Sequence, residues 1–87
     1  MDNFLENIDF ISSNYFIINV EGEINQNLSD ILGGLSISHY TNNNINKTIS
    51  HLEGKIIDQA ELIGILNTLY NMRFKILSVK IKEKTTV

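Results

Sequence analysis

Residues 54–79, GKIIDQAELIGILNTLYNMRFKILSV, change hydrophobic period part-way along. Leu62, Leu66 and Leu69, with Ile63 and Tyr70 beside them, recur at the spacing of a helix with a broad apolar stripe. After Phe74 the period becomes two: Leu77, Val79 and Ile81 alternate with Lys80 and Lys82, as in a strand with one buried face. A helix that runs straight into a strand buries its stripe most simply by lying back on the sheet that holds the strand. Asp58 is the expected N-cap, and Glu61 three residues on completes a capping-box-like pair with Asp in place of Ser or Thr. Asn71 is the expected left-handed residue at the other end. Gly64 interrupts this helix at a cost of about 1 kcal/mol relative to alanine. Its expected reason is a close crossing over the sheet or a second helix between Ile63 and Ile65; the rival is an exposed glycine.

Upstream, YFIINVE at 15–21 predicts a strand burying Phe16, Ile18 and Val20. In NQNLSDILGG, Leu28, Ile31 and Leu32 fall at helical spacing and Gly33-Gly34 follows as a C-cap, predicting a helix of about two turns. LSISHYT and KTISHLEG flank the asparagine-rich NNNIN and read as a hairpin, with Gly54 closing its second strand. The order β-α-β-β-α-β predicts an α+β domain of ferredoxin-like type. That arrangement is a four-stranded antiparallel sheet in the order 4-1-3-2, with both helices on one face and the last strand at an edge. The expected organisation is an N-terminal extension over residues 1–14, one domain over 15–83 and a tail over 84–87. Phe4, Leu5, Ile8 and Ile11 share one side of a possible helix begun by Asp2 in the extension.

With the fold laid out, HLEGKIIDQAELIGILNTLYNMRFKILSVK resembles a group of small bacterial proteins. Their pattern runs T-x-L-x-G-x-V-x-D-Q-A-A-L-x-G-L-L and then, after a short gap, L-L-S-V. Here it falls on Leu52, Gly54, Asp58, Gln59, Ala60, Leu62, Gly64, Leu66, Leu77, Ser78 and Val79. The segment INVEGEINQNLSDILGGLSISH is similar to the opening strand and helix of the same group, so the likeness spans residues 17–81. Glu61 replaces a second alanine, Arg73 stands where a glycine usually ends the helix, and the first fourteen residues are extra. The resemblance implies a fold and no catalytic residue.

Composition narrows the function classes. Of 87 residues, 43% are apolar and 20% charged, which are globular values. Cysteine is absent, which removes disulfides, thiolate metal sites and thiol nucleophiles together. No apolar run approaches the roughly 20 residues of a bilayer span. MDNFLENIDFISSN has neither the basic start nor the cleavage site of a signal peptide, so a cytoplasmic protein without membrane attachment is expected. Net charge is −3, with nine acidic and two basic residues in 1–61 against one and five in 62–87. Arg73 and Lys75, Lys80, Lys82 and Lys84 make a basic strip, read as lysines guarding an edge strand rather than a nucleic-acid surface.

No Ser-His-Asp, Cys-His or paired-carboxylate set is suggested, nor a phosphate loop, and no cofactor is expected. His39 and His51 are the only histidines, and a hairpin turning near residue 45 would set them opposite each other with Glu53 along the same face. That trio is the one metal candidate, against two surface histidines as the expected reading. Asp58 and Gln59 open the helix, but the Asp58 carboxylate competes with any anion there. The reading of first choice is a non-catalytic interaction module acting as a homodimer or with a protein partner. Its open sheet face is expected to carry Tyr15, Ile17 and Asn19 with Ile76 and Ser78, the interface residues being Tyr15, Ile17 and Ile76. The alternatives are a small-molecule-sensing domain, and an enzyme with His39 or His51 as acid/base.

Overall fold

The computed structural model describes residues 14–82, so residues 1–13 of the extension, with its possible helix, and the tail lie outside the described residues. The elements are β1 (Asn14–Glu21), a 3-10 segment (Gln26–Leu32), β2 (Ser36–Asn42), β3 (Lys47–Ile56), α1 (Gln59–Asn71) and β4 (Lys75–Lys82). All strand pairs are antiparallel, in the order β2-β3-β1-β4, so β2 and β4 are the edges. Strand alternation sends Phe16, Ile18 and Val20 of β1 and Leu52 and Ile56 of β3 into one core, with Ile24, Leu32 and Leu35 beside them. Leu62, Ile65 and Leu69 of α1 close it.

The first helical element is a 3-10 segment rather than an α-helix. Asn25 caps it by accepting from Asn27 N–H, and Gly33 ends it at φ 71°. The tighter winding puts Leu32 in the core, while Ile31 is exposed. The α1 stripe is likewise rotated from the expected one: Ile65 is buried, whereas Ile63 and Tyr70 face solvent. Gly64 does not mark a crossing, since a Cβ built there meets nothing within 4 Å. The glycine at a close approach is Gly54, which lies inside β3 rather than at its end; a Cβ there would come 2.9 Å from Leu35 Cδ2.

Asp58 Oδ1 accepts from Glu61 N–H at 2.8 Å, and Glu61 Oε1 reaches back to Ile57 N–H at 2.9 Å. At the other end the left-handed residue is Arg73 (φ 66°), not Asn71. Arg73 N–H donates to Tyr70 C=O and Phe74 N–H to Leu69 C=O. This is the paired bonding of a Schellman end, in which glycine is the usual residue. It accounts for an arginine at the place where the similar proteins carry glycine.

The loop between β1 and the 3-10 segment is fixed by two polar side chains on the core face of the sheet. Ser50, fully buried, accepts from Ile24 N–H at 2.9 Å and donates to Gly22 C=O at 2.6 Å. His39 Nε2 lies 2.6 Å from Ile24 C=O and therefore carries the proton that it donates.

Candidate functional site

The helix-free face of the sheet is built from the alternate residues. Tyr15, Ile17 and Asn19 of β1 pair with Lys55, Glu53 and His51 of β3 on one side. On the other side they pair with Lys82, Lys80 and Ser78 of β4. Ser36, Ser38 and Tyr40 continue the face on β2. Tyr15 and Tyr40 are 46% and 50% exposed, Ile17 is half-buried, and Ile49 is 1% exposed although it lies outside the core cluster.

A polar network crosses this face. Asn19 Nδ2 donates to Ser78 Oγ at 3.0 Å, and Asn19 Oδ1 meets His51 Nδ1 at 3.0 Å. His51 Nε2 lies 3.2 Å from Glu53 Oε1, and Lys82 Nζ donates to Glu53 Oε2 at 2.8 Å. Both partners of His51 are acceptors as placed, so an imidazolium makes both bonds at once. A neutral ring makes them when the Asn19 amide turns over and accepts the Ser78 hydroxyl in exchange. The Lys82 ammonium, with His51 second, holds the Glu53 carboxyl below its ordinary value, and Glu53 raises Lys82 in return.

Two of the sequence-based placements change. Ile76 belongs to the core side and packs against the cluster, because the β1–β4 register shifts between Asn19 and Val20. The extra residue at Leu77 reverses the alternation, so Ser78 reaches the open face, Val79 the core, and Leu77 is 42% exposed. The two histidines part company for a similar reason. His39 pairs with Ser50 and His51 with Ser38, a register one residue from the expected one, so they lie on opposite faces. Only His51 and Glu53 remain together, and no group of three or more His, Cys, Asp or Glu able to hold a metal occurs among the described residues. Asn19 and Ser78, given earlier only as face residues, prove to be the links joining β1 and β4 to His51. A polar residue flanked by Ile17, Ile18 and Val20 in a strand was the available signal.

Both edges carry features that oppose strand addition. Lys75, Lys80 and Lys82 stud β4, while Lys84 lies outside the described residues. At the start of β2, Gln26 Nε2 donates to Ile37 C=O at 3.2 Å, and just before the strand Ser29 Oγ donates to Leu35 C=O at 2.7 Å. Charged side chains on one edge and capped carbonyls on the other oppose strand addition.

What the residues define is a small α+β domain whose sheet has one face under helical elements and the other carrying a tied polar network between tyrosines. The chain belongs to a domain family of unknown function, DUF8691, whose model matches residues 15–80. No curated protein and no solved structure matches it. No helix among the described residues is long and apolar enough to cross a membrane.

Proposed function

We propose that the domain is a non-catalytic interaction module working through its helix-free sheet face, with a second copy of the chain as partner. We also infer a ferredoxin-like arrangement in which the first helix has shrunk to the 3-10 segment. The observation that carries the functional reading is the row through Ile17, which has Glu53 on one side and Lys80 on the other. A two-fold axis along β1 above Ile17 lays each Glu53 over the partner's Lys80 position and brings the two isoleucines together, so one surface complements itself. Guarded edges favour this mode over strand addition. The network from Ser78 to Lys82 holds the polar groups in place before association, which lowers the ordering cost.

At about 25 cal/mol per Å², each 100 Å² of apolar surface covered contributes roughly 2.5 kcal/mol. Association costs of about 4–15 kcal/mol therefore call for several hundred Å² of such surface. Exposure of Tyr15 and Tyr40 to a soluble paramagnetic agent, read by NMR against concentration, tests the reading. Their protection should grow with protein concentration while that of Tyr70, on α1, stays constant. Protection independent of concentration would mean that the face is covered from within the chain, and would contradict a partner there.

A further inference from the structure

We infer that the end of the helix-free face around Tyr15 is a binding site for a small oxyanion of the phosphate class. Tyr15 stands between Lys55 of β3 and Lys82 of β4 in register, and a shallow depression opens beside it. Its floor is small because Gly34, before β2, and Ser36 and Ser38 of β2 lie there, while Glu53 and His51 stand along β3.

The hydrogen-bond inventory decides the sign of the ligand. Each carboxylate oxygen of Glu53 already has a partner, His51 for one and Lys82 for the other. Asn19 Oδ1 is taken by His51. Among the described residues, the lining groups that form no hydrogen bond or ion pair are the Lys55 ammonium, which only donates, and the Ser36 and Ser38 hydroxyls and Tyr15 phenol, each able to donate. A cation would find the one carboxylate that lines the depression already paired with Lys82 and His51, and would meet the Lys55 ammonium beside it. A tetrahedral oxyanion accepts from an ammonium and several hydroxyls at once. Glu53 lines the depression and opposes an anion, but its pairing with Lys82 at 2.8 Å offsets that charge. The site belongs to the single chain: a two-fold along β1 would cover Tyr15 and Glu53, so the proposed pairing and phosphate would compete for this end of the face.

Titration of the full chain with inorganic phosphate at constant ionic strength, followed by ¹H–¹⁵N NMR, tests it. Saturable shifts should concentrate at Gly34, Ser36, Ser38, Gly54 and Lys55. Lys55→Gln should weaken binding about fivefold, the loss of one close ion pair in a solvated setting. Ser36→Ala should weaken it less, and Ile17→Asp, which removes the pairing that would cover Tyr15, should not weaken it. Phenyl phosphate binding as well as inorganic phosphate would identify a phosphorylated group as the source, whereas preference for the free ion would identify phosphate itself. Shifts spread equally over Arg73, Lys75 and Lys80, no saturation, or binding indifferent to Lys55→Gln would overturn the assignment.

Discussion

Gly64→Ala should stabilise the domain. Gly64 is the sixth residue of the thirteen in α1, and a Cβ built on it meets nothing within 4 Å, so alanine adds no clash and buries nothing. The gain is then the difference in helix propensity, about 0.8–1 kcal/mol, arising from the backbone freedom that glycine loses on folding. For a domain of this size that corresponds to roughly 4–8 °C in melting temperature. Urea unfolding followed by circular dichroism should show a higher midpoint with an unchanged slope. A companion variant sharpens the comparison: Gly54→Ala pushes against buried Leu35 and should cost about 1–3 kcal/mol. A neutral or destabilising Gly64→Ala would mean that something packs against that face of α1, contrary to the open space around Gly64.

Arg73→Gly should raise stability by about 1 kcal/mol in the same unfolding assay, since the left-handed conformation at the end of α1 costs an L-residue about 1–2 kcal/mol. Ser50→Ala should lower it by about 1–3 kcal/mol, because Ile24 N–H and Gly22 C=O lose their shared buried partner. Glu53, held low by Lys82 and then His51, contributes stability above the ordinary carboxylate value of 4.5 that is lost as pH falls through its lowered value. Lys82, raised by Glu53, contributes stability below 10.5 that is lost as pH rises through its raised value. Lys82→Met should move the Glu53 carboxyl titration, followed by ¹³C NMR, back upwards; no movement would remove Lys82 as the cause.

Much of the fold was legible because periodicity reports burial directly. Phe16, Ile18 and Val20 alternate in β1 and are all fully buried. Asp58 and Glu61 carry the chemistry of a helix start, and they occupy that start. The failures share a cause, which is that a shift of one residue leaves composition unchanged while reversing what faces what. The extra residue at Leu77 sent Ile76 to the core. The β2–β3 register put His39 beneath the sheet and His51 above it. Helix ends were misplaced where a costly conformation was adopted by an unexpected residue, Arg73. Of the network on the open face, His51 and Glu53 were visible as neighbours in one strand, whereas its other links join residues 29 to 59 apart in the chain, as between Asn19 and Ser78. No local pattern encodes such a contact.

Static light scattering across the micromolar range measures most directly the proposed pairing of the helix-free face with a second copy. The wild-type chain should approach about twice its own mass as concentration rises. Ile17→Asp should remain at the mass of one chain with an unchanged circular dichroism spectrum and a cooperative melt. A wild-type chain that stays at single mass at tens of micromolar would contradict the claim, as would an Ile17→Asp variant that still doubles.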